Sequence, residues 1–121
     1  MIKVDVMSRT PIYEQIINQI KRMISLGLLK AGDKLESVRS LSMTISVNPN
    51  TIQKAYNELC TTNIAISVPG RGYFISEEAP EIIRDYNMTQ LDKLCEQVLD
   101  LTNLGIDKDL IIEHLKMKLK G

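Results

Sequence analysis

The sequence predicts a mainly α-helical chain with one small β element, built as a domain over residues 1–76 and a two-helix tail over residues 77–121. Three observations lead there. Apolar residues recur at three- and four-residue steps in several separate stretches, the period of a helix with one buried face. A single stretch, from Ile64 to Ser76, alternates with period two. The polar segment "SEEAP", Ser76 to Pro80, ends in a helix breaker and marks a boundary between the two parts.

The first helix is expected to open at Thr10 as N-cap with Pro11 at the first helical position, where a missing N–H costs nothing. Ile12, Ile16, Ile20, Met23 and Ile24 form its apolar stripe, and Gly27 ends it. "LLKAGDKLE" then reads as a Gly-Asp turn and a short extended piece around Leu35. Ser37 can cap a second, short helix with Val38, Leu41 and Ile45 inward, ending near Ser46. A third runs from Pro49 to about Thr62, with Ile52, Ala55, Tyr56 and Leu59 at helical spacing. Two short helices joined by a tight turn are the outline of a helix-turn-helix. Ile64, Ile66 and Val68 alternate with Ala65 and Ser67, and "PGRG" and "YFIS" complete a two-stranded hairpin, a β-wing beside the third helix.

In the tail, Ile82, Ile83, Tyr86, Leu91, Leu94, Val98 and Leu101 describe a long amphipathic helix stopping at Gly105. Asp107 caps a last helix carrying Leu110, Ile111 and Leu115, with acids first and lysines last to match the helix dipole. About 40 residues in two helices cannot enclose a core alone. Their apolar faces are expected to bury against a second copy of the chain, with docking on the first domain as the alternative.

Composition narrows the function classes. With 121 residues, 44% hydrophobic and 25% charged, the chain is an ordinary globular one. No apolar run approaches the ~20 residues of a membrane helix, and "MIKVDVMSRT" lacks a signal-peptide core, so no membrane partner and a cytoplasmic location are expected. Cys60 and Cys95 match no metal or redox spacing and read as buried apolar thiols, and the lone His114 reads as surface. No metal, cofactor or catalytic constellation is expected. The zero net charge hides a split: residues 1–76 carry nine Lys/Arg against five Asp/Glu, and residues 77–121 six against ten. A basic front and an acidic back suit a polyanion at one end only.

From Pro11 to about Ser76 the chain resembles the GntR family of bacterial transcription regulators. The resemblance rests on the "PIYEQI" opening, the "GDKL" turn, "SVRSL", "NTIQKAY" and the "GRGYF" wing, in the family's order and spacing. The short helical tail resembles the YtrA subfamily. The family's fold is the winged helix-turn-helix, here followed by a two-helix dimerisation tail. The large effector and aminotransferase-like domains of other branches are not expected, because the chain ends too soon.

The resemblance implies binding to double-stranded operator DNA. Asn48 as N-cap and Pro49 behind it set the start of the third helix, so that Asn50, Thr51, Gln53 and Lys54 face base edges and phosphates. Arg39, beside the cap Ser37, matches a family arginine that contacts DNA; an ion pair with Glu36 or Glu58 is the alternative. Arg71, between Gly70 and Gly72, is placed at the wing tip toward the backbone or minor groove.

Departures from the pattern are informative. Pro49 and Gln53 stand where arginines are common, Glu36 where proline is, Asn63 where glycine is, and Val68 and Pro69 where basic residues precede the wing turn. The expectation is a homodimeric repressor of a palindromic operator, controlling a transporter operon, that dimerises through Ile83, Tyr86, Leu91, Leu94, Val98, Leu101, Ile111 and Leu115. A winged helix used only for protein contact is the alternative. Nothing selects a small-molecule effector.

Overall fold

The computed structural model describes residues 2–121. The elements follow as α1 (Ile12–Ser25), α2 (Val38–Ile45), α3 (Pro49–Thr61), β1 (Ala65–Val68), β2 (Gly72–Ile75), α4 (Ala79–Asn103) and α5 (Lys108–Lys120). They divide into two compact units, one ending at Arg84 and one from Asp85 to Gly121.

The cap of α1 is Pro11, one residue later than expected, and no side chain caps it. The amide of Gln15 does related work. It accepts from the Asp5 N–H at 2.8 Å and donates to the Asp5 and Thr10 carbonyls at 2.9 and 2.8 Å. Gln19 clasps the Lys3 backbone in the same two-way manner. The leading segment is thereby strapped along α1. At the other end Gly27, at φ +78°, lets its own N–H and that of Leu28 bond back to the Ile24 and Met23 carbonyls at 3.0 and 2.8 Å. This is a Schellman stop. The same motif closes α3 with Asn63 at φ +63°, where the Ile64 N–H reaches the Leu59 carbonyl at 2.9 Å. The amide residue thus holds the left-handed position expected of it.

The core of the first unit is built on α3, which packs against α1, α2 and β1. Ile52, Ala55, Tyr56 and Leu59 are buried against Ile16, Ile17, Ile20 and Ile24 of α1 and Leu41 of α2. Each of these isoleucine and leucine side chains contributes about 1.5–3 kcal/mol when fully removed from water. Tyr56 is 1% exposed, its hydroxyl donates to the Glu36 carbonyl at 2.7 Å, and its ring meets Tyr73 edge-on at 5.1 Å.

The hairpin is antiparallel, pairing Ala65 with Ile75, Ile66 with Phe74 and Ser67 with Tyr73. Its inward face differs from the alternation expected of the sequence. Ala65 and Ile75 are buried whereas Ile66 is 48% exposed, so Ile66 and its partner Phe74 lie on the other face. Ile64 is buried because it follows the α3 stop, where that residue packs back on the helix. A shift of one residue in reading the strand start turns every side chain over. The extended piece before α2 joins the sheet on the far side of β2: Leu35 N–H bonds to the Tyr73 carbonyl and Ile75 N–H to the Asp33 carbonyl, each at 2.8 Å.

"SEEAP" is not the boundary. Ser76 is buried and its hydroxyl donates to the Asn63 carbonyl at 2.5 Å. Pro80 sits in the first turn of α4, where proline is tolerated. Ala79 and Ile83 join the core of the first unit, which therefore extends eight residues past the expected limit at Ser76. Ile83, at 4% exposed, is a core residue here and not part of an open tail face. Cys60 is half-buried, its thiol pushed up by that burial, and Cys95 is exposed, which corrects the expectation of two buried thiols. Cys95 lies in the second unit, where no residue is buried.

Asp107 occupies the cap position of α5 without a side-chain cap bond. No helix among the described residues is long and apolar enough to cross a membrane.

Two outcomes test the core. Tyr56→Phe should cost about 1 kcal/mol at neutral pH, because the hydrogen bond to the Glu36 carbonyl is lost; denaturant titration reads this directly. Burial first, then Glu36 and Tyr73, raises the Tyr56 phenol well above its ordinary 10.0. The unfolded phenol ionises near pH 10 while the folded one stays neutral, so this stabilisation is complete below about pH 10 and declines above it. The alkaline decline should shrink in Tyr56→Phe.

Candidate nucleic-acid interface

The exposed start of α3 is set by two local devices. Asn48 Oδ1 accepts from the Asn50 N–H at 2.8 Å, and Pro49 follows at the first helical position. The turn before it is tight. Ser46 adopts φ +55°, Val47 N–H bonds to the Ser42 carbonyl at 3.2 Å, and the Ser42 hydroxyl donates back to the Val47 carbonyl at 2.6 Å. Asn48 therefore spends its oxygen on the cap, leaving its N–H groups outward.

Beyond the cap the expected site residues separate. Asn50 and Lys54 are exposed, and Thr51 and Gln53 are half-buried. Asn50, Gln53 and Asn57 lie at three- and four-residue spacing, one flank of the helix. On that flank Gln53 Nε2 donates to Asn57 Oδ1 at 2.9 Å and to the Tyr73 hydroxyl at 2.5 Å. Lys54 instead lays its ammonium over the Tyr13 ring, 4.0 Å from the centroid, a cation–π contact. The Tyr13 phenol is pushed up mainly by the Glu14 carboxylate, so the ring stays neutral beneath the cation.

On α2, the Ser37 hydroxyl accepts from the Ser40 N–H at 3.1 Å. The Glu36 carboxylate is taken by the Ser40 and Thr44 hydroxyls at 2.6 and 3.1 Å. Arg39 is exposed in a shallow depression shared with Ser37, Ser40, Met43 and Thr44, and among the described residues it forms no ion pair with Glu36 or Glu58. Its guanidinium is available to an anion.

At the wing, Pro69 and Gly70 are the central residues of a turn closed by the Arg71 N–H on the Val68 carbonyl at 2.9 Å. Gly70 has φ +75°, as the third residue of a Pro-Gly turn requires. Arg71 is exposed at the tip. Gly72 has a different, internal reason: at φ +118° a Cβ there would meet Lys34 Cε at 3.1 Å. The lysine stem crosses the glycine, so Lys34 joins Arg39, Lys54 and Arg71 among the exposed cations of this unit.

Three residues at this surface were missed in the sequence. In the sequence Lys34 is only part of a turn, Asn57 only a position within the third helix and Tyr73 a strand residue. Pairing of Lys34 with β2 would have revealed the first; nothing local announces the other two.

Among known proteins, residues 12–75 match the family described as "Bacterial regulatory proteins, gntR family". The chain belongs to the GntR family. It is 42% identical over 117 residues to the "HTH-type transcriptional repressor YtrA" of Bacillus subtilis (strain 168), covering 96% of this chain and 90% of that protein. A GntR family transcriptional regulator from Listeria monocytogenes superposes with a TM-score of 0.76 at 38% identity, covering 94% of this chain and 98% of that one. The AraR DNA-binding domain in complex with operator ORE1 matches with a TM-score of 0.54 at 26% identity, over 60% of this chain and 89% of that one. GntR membership and the winged helix-turn-helix geometry make this chain a DNA-binding transcription regulator.

Within that family frame the local cap is open to test. Asn48→Ala should lower stability by about 1 kcal/mol, read as a fall in melting temperature, and Asn48→Asp should restore most of it.

Proposed function

We propose that the chain works as a homodimeric repressor that reads a palindromic operator, with the N-terminal turn of α3 in the major groove and the wing at the adjacent backbone or minor groove. The capped, exposed start of α3, tied to the wing through Gln53 and Tyr73, carries the reading. Asn50, Thr51 and Gln53 offer amides and a hydroxyl to base edges, while Arg39, Lys34 and Arg71 supply charge for phosphates. The YtrA repressor of Bacillus subtilis and the operator-bound AraR domain support the same role.

The tail supports the dimer. From Asp85 onward no residue is buried, yet thirteen large apolar side chains are exposed, among them Tyr86, Leu91, Leu94, Leu101 and Leu115. Val98 and Ile111 are half-buried along a shared groove. Apolar surface on this scale marks an association face. Two domains so joined would address half-sites about one helical turn apart.

Duplex binding should weaken steeply with salt. With three or four phosphates neutralised per subunit, log K should fall against log salt with a slope of about −5 to −7 for the dimer. No retardation of duplex DNA at low salt would sink the proposal. In the same assay Arg71→Ala should lower affinity for every sequence, whereas Gln53→Ala should relax sequence preference more than it weakens non-specific binding. Leu94→Asp should shift the sedimenting species from dimer to monomer and cut operator affinity by at least tenfold, since bivalent binding is lost.

A further inference from the structure

We propose that Tyr73, a wing residue, determines which face of Gln53 meets DNA, so that the recognition helix reads a base through the Gln53 carbonyl oxygen and the Asn57 amide together. The proposal rests on the reading of α3 as the groove-facing helix and adds the chemistry of one contact.

A glutamine amide has two N–H donors and one acceptor oxygen. Both donors of Gln53 are engaged, one with Asn57 Oδ1 at 2.9 Å and one with the Tyr73 hydroxyl at 2.5 Å. Oε1 is the group left to present. Asn57, exposed and with its oxygen taken, presents N–H groups beside it. The two side chains thus place an acceptor next to a donor. Adenine answers that pair in the major groove with its N6 amino group and N7. Guanine offers N7 and O6, two acceptors, and leaves the Gln53 oxygen unmatched. Thymine offers only an acceptor, and cytosine only an amino group.

The arrangement is anchored well away from the DNA face. Tyr73 is half-buried, its carbonyl takes the Leu35 N–H at 2.8 Å, and its ring packs edge-on against the buried Tyr56 at 5.1 Å. Tyr56 is held in turn by the Glu36 carbonyl at 2.7 Å. For Gln53 alone to grip adenine with both its N–H and its oxygen, it would have to release Tyr73 or Asn57. Tyr73 acts as a positioning residue, and Gln53 and Asn57 are the readers.

The test is selection of bound duplexes from a randomised library by the full-length parent and by Gln53→Ala, Asn57→Asp and Tyr73→Phe, with melting curves for each. The position whose preference disappears in Gln53→Ala identifies the Gln53 base. The parent should favour adenine there by about tenfold. Tyr73→Phe, which keeps the ring and removes only the hydroxyl, frees one Gln53 N–H to face DNA and should cut the preference for adenine over guanine, whose N7 and O6 both accept, to about twofold, while non-specific affinity and melting stay near the parent's. Asn57→Asp, which keeps the acceptor for Gln53 and removes the donor, should let cytosine compete with adenine at the same position. A parent preference for guanine or thymine there would overturn the proposal, because it would require the amide to present N–H. So would a Tyr73→Phe protein that keeps the parental preference, or a Gln53→Ala protein that loses none. If the parent enriches no duplex at all, the DNA-reading role of α3 falls first and the proposal with it.

Discussion

Tyr56 ties three elements at one buried point. Its hydroxyl holds the Glu36 carbonyl immediately before the α2 cap, its backbone lies in the middle of α3, and its ring takes the edge of Tyr73 from the wing. Tyr56 is 1% exposed, so a hydroxyl deprived of the Glu36 carbonyl would be left as an unsatisfied buried donor. The start of α2, the face of α3 and the slope of the wing are all referred to it. Arg39, Gln53 and Arg71 each ride on one of those elements, so a buried side chain sets the frame for the residues proposed to meet DNA.

What was legible in the sequence was local. Ser37 and Asn48 announce their helices because a capping side chain bonds within three residues of itself. Asn63 and Gly27 announce the ends for the same reason. The contents of the α3 stripe were readable because Ile52, Ala55, Tyr56 and Leu59 share one face whatever they pack against. The inward face of β1 was not, since Ile64 and Ile66 are chemically identical and only the position of the α3 stop assigns them to different sides. The domain limit at Ser76 failed because a polar composition does not reveal that a serine hydroxyl is bonded to a carbonyl thirteen residues away.

The candidate site divides along the same line. Residue types and order pointed to Arg39, Asn50, Thr51, Gln53 and Arg71, and family membership gives them a setting. Their orientation was beyond reach. Lys54 lies over Tyr13, Gly72 makes room for Lys34, and Gln53 is bonded to a residue twenty positions away. Each of these is a tertiary contact with no periodic or motif signature.

Asn50, Gln53 and Asn57 put three amides on one flank of α3, and the GntR resemblance sets arginine as the common residue at the place of Gln53. An amide gains its energy from matched partners over a short range, and it displaces no condensed ion when it docks. In the proposed complex, the affinity these amides contribute would come from contacts that potassium does not compete for. In a bacterium under osmotic stress, where internal potassium swings widely, such a surface would hold its operator more steadily than an arginine-rich one built on the same scaffold.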